Sequence, residues 1–143
     1  MVNYIEVTPQ QGARFFASAG PGEVVMLNLL RFRERADYSH APELEPAGGI
    51  SGAEAYRRYM DGIEPLLEAS GGELVFAGRP DFFLIGPQDE KWDFMMLVRQ
   101  KDAASFLAFA SNPAAQAITR HRTAAVADSR LLPLWPQDDP AAA

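Results

Sequence analysis

An α+β fold, one antiparallel sheet with helices on a single face, is what this chain of 143 residues predicts. Three observations carry that expectation. Residues 23–33, EVVMLNLLRFR, are apolar almost throughout, as in a central strand covered on both sides. Two helical patterns, opening at Ser51 and Asp102, each lie between strand-like segments. After a short N-terminal helix the element order therefore reads β-α-β-β-α-β.

Each element has a local reason. Tyr4, Ile5 and Val7 suit a short strand or an extended lead-in. Thr8-Pro9-Gln10-Gln11 begins a helix, with threonine as cap, proline in the first position and glutamine closing a capping box. Gly20-Pro21-Gly22 ends this extension, residues 1–22. In the strand that follows, Val24, Met26, Asn28, Leu30 and Phe32 face one way and Val25, Leu27, Leu29, Arg31 and Arg33 the other. Residues 34–50 form a long loop of charge, proline and glycine, suited to a lid, a dimer arm or a mobile segment. A second capping box, Ser51 to Glu54, opens a helix bearing Tyr56, Tyr59, Met60 and Ile63, and Gly71-Gly72 closes it. ELVFAGR (73–79) and DFFLIG (81–86) read as one bent strand or two short ones. GPQDEK (86–91) has turn chemistry, so the strand from Trp92 is expected to complete a hairpin. Helices from Asp102 and from Asn112-Pro113 follow, the latter through Ser129, and RLLPLW (130–135) is the last strand. Residues 136–143 read as a flexible tail.

This order is the ferredoxin-like arrangement, here in a single domain over residues 1–143. Its helices cover one sheet face only. The other face is as apolar, and a second copy of the chain is the economical cover, so a homodimer is expected.

Composition excludes several functions. Lys+Arg 13 against Asp+Glu 19 gives a net charge of −6, which argues against nucleic-acid or anionic-membrane partners. Without cysteine there is no disulfide, thiolate metal site, CxxCH haem attachment or Cys nucleophile. No apolar run reaches the ~20 residues of a transmembrane helix, and MVNYIEVTPQQ lacks the pattern of a secretory signal. A soluble cytoplasmic protein is expected. There is no GxSxG, GxxxxGK[ST], HExxH or GxGxxG, so serine-hydrolase, P-loop, zincin and Rossmann chemistry fall away. No metal or other cofactor is expected, although one histidine would suffice as a haem ligand.

Candidate functional residues are few. His121 recurs with Ala114, Ala117, Ile118, Ala124 and Ala125 at helical spacing, so its imidazole turns inward, where it can serve as acid/base. The plain alternative is an imidazole satisfied by a carbonyl or carboxylate. Asn28 is the lone polar group on its strand face and can hold a substrate carbonyl or act as a structural amide. Tyr59 offers a phenol to the same space. Tyr56, Arg79, Trp92 and Phe94 are candidate substrate contacts, though aromatics at such spacing also make a core and Arg79 also makes a turn. Arg31 is expected to pair with Asp93 or Glu73, Arg120 and Arg122 to be solvated helix charges, and His40 on the loop to be exposed and idle.

The AYRRY helix ending in GG, the G-R-P bend, SFLAFASNPAAQ and the closing HRTAAVADSRLLP together resemble a bacterial family of unknown function in the dimeric α/β-barrel superfamily. VVMLNLLRFR is similar to the first strand of a subgroup. The resemblance implies a ferredoxin-like protomer and a dimeric α/β barrel. The superfamily includes cofactor-independent monooxygenases, lactone isomerases and haem-degrading members, and this family has no accepted catalytic set. Two functions follow: binding of a small apolar or aromatic metabolite between sheet and helices, or cofactor-free monooxygenase or isomerase chemistry using His121 and Asn28.

Overall fold

Side-chain caps set where the helices begin. In the computed structural model, which describes residues 2–142, the Thr8 hydroxyl accepts from the Gln11 N–H at 3.1 Å and donates to its Oε1 at 3.0 Å. That reciprocal pair opens α1 (Pro9–Ser18). Ser51 and Glu54 make the same pair at the start of α2 (Gly52–Ala69). Asp102 accepts from the Ser105 N–H at 2.7 Å to open α3 (Ala103–Ser111). Asn112 then restarts the chain as α4 (Pro113–Ala125), with proline where no N–H is needed.

Four strands, β1 (Val24–Phe32), β2 (Glu73–Gly78), β3 (Phe94–Gln100) and β4 (Val126–Leu134), form one sheet in the order β2-β3-β1-β4. All neighbouring strands are antiparallel. The expected ferredoxin-like order is therefore present, with α1 added ahead of it. Val2–Val7 is an extended lead-in rather than a strand.

Three elements differ from expectation. DFFLIG makes no strand, residues 79–93 are an irregular connection instead of a tight hairpin, and β3 begins at Phe94 rather than Trp92. Pro80 and Pro87 remove donors at either end of that run. Between them the backbone is claimed by side chains: Asp81 accepts from Phe82 N–H, and the Gln88 amide donates to the carbonyls of Phe83 and Gly86. Second, Val126–Ser129 belong to β4, not to the preceding helix. There the β-branched Val126 pairs with Phe32 across a bulge.

Third, the loop at 34–50 is packed against the domain. The Arg33 and Asp37 N–H groups donate to the carbonyls of Ala125 and Ala124 at 2.8 and 2.9 Å, and Ala36 N–H donates to Ile50 at 3.0 Å. Ala36, Tyr38 and Ala41 are buried, and Pro42–Leu44 forms a 3-10 turn. A Cβ at Gly52 would lie 2.1 Å from the Arg33 carbonyl oxygen and 2.8 Å from that of Ala125, so only glycine allows this junction.

The core lies on the helix side of the sheet. Leu30 and Met96 meet Ala55 and Tyr56 of α2 and Ala124 and Ala125 of α4, with Phe32, Phe94 and Tyr59 packed around them. On the opposite side Val25, Leu27, Leu29, Met95 and Leu97 are only half-buried, while Phe76, Leu132 and Leu134 are exposed.

Candidate functional site

His121 stands on α4 where the 34–50 loop crosses the helix. Its Nδ1 is 2.8 Å from the Tyr38 hydroxyl, and Tyr38 is buried. Burial, and then the Arg58 cation, lower the His121 pKa, while burial raises that of Tyr38. At neutral pH the phenol therefore donates to a neutral imidazole, whose own proton sits on Nε2. This partner is neither of the groups expected for an idle histidine. The loop is held at two further points: His40 donates from Nε2 to the Arg120 carbonyl at 3.1 Å, and Arg120 reaches Glu43 at 3.3 Å. His40 is exposed, as expected, but it is bonded.

Deeper on the helix side, Tyr56 packs on Phe32, Tyr59 and Phe94 with ring centroids 5.1–6.1 Å apart. Burial raises the pKa of both tyrosines, most for Tyr56, against the opposing pull of Arg122. Both phenols are therefore protonated, and able to donate, at neutral pH. Arg122 is not a solvated charge: it donates to the Ile5 carbonyl at 2.6 Å and to the Ser129 hydroxyl at 3.3 Å. Asn28 lies on this same face, two strand positions from Leu30. It is half-buried, and its amide donates to the Met26 carbonyl at 3.2 Å. Its register partner Leu131 is 40% exposed although it points to the helix side, so the cover there is incomplete.

The fold thus gathers Tyr56, Tyr59 and Phe94, with Asn28 on the adjoining stretch of sheet. His121 bonds instead to the loop. Trp92 is on the other side of the sheet, and Arg79 is exposed with no recorded side-chain partner among the described residues.

Around Trp92 sits a cluster that sequence reasoning did not assemble. The Arg31 and Arg130 guanidinium carbons lie 5.1 and 5.0 Å from its ring centroid. Both cations pair with Asp128, Arg130 at 2.7 Å and Arg31 at 3.7 Å. The expected partners of Arg31 are engaged elsewhere: Asp93 accepts from Phe32 N–H at 2.8 Å and Glu73 pairs with Arg99 at 3.0 Å. Burial of Asp128 raises its pKa, but hydrogen bonds from Tyr4 N–H, Arg130 and Ser129 N–H outweigh it and hold the carboxyl below the usual value. The available signal was the Asp-x-Arg pair in β4, which puts both side chains on one strand face.

No group of three or more His, Cys, Asp or Glu side chains is placed to hold a metal among the described residues. Among the described residues, no helix is long and apolar enough to cross a membrane. Two surface cavities stand out. One is bounded by the lead-in, Arg33 and residues 37–40, the other by Glu64, Leu67, Glu68, Glu73 and Leu74. Neither is lined by Asn28, Tyr59 or His121.

Such a sheet, with paired helices on one face, defines an α+β protein of ferredoxin-like fold. A DABB family protein of that fold from Mesorhizobium loti is similar in structure alone, at 16% identity over 82% of this chain and 99% of that one, with a TM-score of 0.52. Much nearer is RPA0582, a protein of unknown function from Rhodopseudomonas palustris, at 36% identity over 96% of this chain and 100% of that one, with a TM-score of 0.86. Its methylated form gives 37% identity over 99% and 100%, with a TM-score of 0.87. The chain belongs to the family of RPA0582. No family model matches it, and no curated protein does.

Proposed function

We propose that the chain is one half of a homodimer formed sheet to sheet, and that each half binds a small apolar or aromatic metabolite on the helix side. The observation that carries this reading is the apolar stripe on the open face, where Leu27, Leu29, Met95 and Leu97 are only half-buried and Leu132 is exposed. Charged groups lie at both ends, Arg31 and Arg130 at one and Arg99 with Glu23 and Glu73 at the other. An apolar centre with a polar rim suits a self-complementary interface. The irregular connection adds Leu84 and Ile85, 89% and 96% exposed, an unusual apolar display for a lone protomer.

Sedimentation velocity tests the dimer. The native chain is expected to sediment as a dimer at micromolar concentration, and Leu97→Glu, a charge at the centre of the stripe, as a folded monomer. A native monomer would overturn the reading. For the ligand, the aromatic wall of Tyr56, Tyr59 and Phe94 supplies apolar surface, while Asn28 and the protonated Tyr59 phenol supply directional contacts. Thermal-shift screening of aromatic metabolites is expected to show saturable stabilisation that Asn28→Ala weakens. An absence of any such stabilisation would remove the ligand half of the reading.

A second reading is catalytic, with His121 as acid/base from its place beside the loop and Asn28 polarising a carbonyl, as a cofactor-independent monooxygenase or isomerase would require. The Tyr38–His121 hydrogen bond favours it, because it leaves a neutral imidazole of defined tautomer. Turnover of a bound molecule that stops in His121→Gln supports this reading; binding without turnover retires it.

A further inference from the structure

Arg33 follows directly on β1, and its guanidinium makes no hydrogen bond or ion pair among the described residues. Its Nε is buried without a partner. Only that donor is shut off from solvent, at the cost a buried unmet donor carries, and the rest of the half-buried guanidinium is free to meet an acceptor. Arg33 lines a cavity of about 520 Å3, a volume in the range that holds small metabolites. Asp37 and Glu6 line the same cavity. The Arg33 charge helps lower the Asp37 pKa, after the hydrogen bonds from Ser39, yet no contact within 4.0 Å joins the two side chains. Cation and anion thus face one cavity without meeting.

His40 lines the cavity as well, and its Nε2 is spent on the Arg120 carbonyl, so its Nδ1 is left bare. Tyr4 and Ile5 supply an apolar wall. One cation set against two carboxylates disfavours a dianion such as phosphate. The arrangement matches a molecule carrying both signs of charge.

We propose that this cavity binds a small zwitterionic amino acid, its carboxylate on Arg33 and its ammonium group toward Asp37 and Glu6. The site is formed by the lead-in, the start of the 34–50 loop and Thr123 of α4, apart from Asn28 and Tyr59. It depends neither on the dimer nor on the metabolite proposed above.

Titration of the full chain with L-leucine, followed by amide NMR shifts, tests it. Saturable shifts are expected at Arg33, Asp37 and Ser39 and along residues 4–8. L-2-hydroxy-4-methylpentanoate, which replaces the ammonium group by a hydroxyl, and isoamylamine, which lacks the carboxylate, are each expected to bind more weakly. Arg33→Met is expected to weaken L-leucine binding by about tenfold or more, the loss of a charge-assisted contact. Ser39→Phe, a substitution at an exposed position that fills the cavity without touching the core, is expected to abolish the shifts. The proposal is overturned if L-leucine gives no saturable shift, if L-2-hydroxy-4-methylpentanoate binds as tightly, or if binding survives both substitutions.

Discussion

Asp128→Asn removes one charge and leaves the shape, so its effect isolates the electrostatics of the open face. Asp128 is 2% exposed and accepts from the Tyr4 and Ser129 N–H groups and from Arg130, with Arg31 beyond. Breaking a fully buried pair costs about 3–5 kcal/mol. Here the partners are 32% and 41% exposed and regain water, which reduces the expected loss to about 2–3 kcal/mol. For a chain of this length that is a fall in Tm of roughly 5–10 °C. The dependence on pH has a definite sign. The folded Asp128 holds its proton less tightly than the unfolded one, so its contribution is complete above an unfolded pKa of about 3.9 and is lost as pH falls through the lower folded value. Urea melts at neutral pH and in steps below pH ~4 are expected to show the native and Asp128→Asn proteins converging with acid. A gap below about 0.5 kcal/mol at neutral pH, or one that acid leaves unchanged, would refute the assignment.

Gln100 offers the opposite experiment. It is 1% exposed, neither its amide nitrogen nor its oxygen has a partner among the described residues, and it lies opposite Val24 against Gly72. Gln100→Met, nearly the same volume without the polar atoms, is expected to raise stability by about 1–3 kcal/mol in urea melts; a loss of stability would mean the amide is satisfied after all. Tyr38→Phe is expected to cost about 1 kcal/mol and to raise the His121 pKa, since the hydrogen bond to its neutral form is gone. Proton NMR of the imidazole reads that shift, and an unmoved titration would break the pair. Because the folded His121 pKa lies below the ordinary 6.5, its contribution is present above that pH and is lost as pH falls through the folded value.

Local chemistry made much of the fold legible. The caps at Thr8, Ser51, Asp102 and Asn112 are short-range hydrogen bonds between near neighbours, and each opens its helix where the sequence places it. The alternation in β1 told which residues share a face, because side-chain direction there is a matter of parity. DFFLIG was misread because propensity cannot show that Asp81, Gln88 and two prolines take the backbone groups a strand needs. VADS was misread because helix and strand compete for it, and only the register with β1 decides.

By itself, then, the chain determined its helix starts, the order of its elements and the apolar character of both sheet faces, since each depends on residues a few positions apart. Tertiary structure alone decided that Tyr38 meets His121, that Asp128 holds Arg31 beside Trp92, and that Arg33 faces a cavity without a partner among the described residues. Those meetings join groups up to 97 positions apart, as Arg31 to Asp128 are. Long-range geometry fixes them, and no local pattern encodes it.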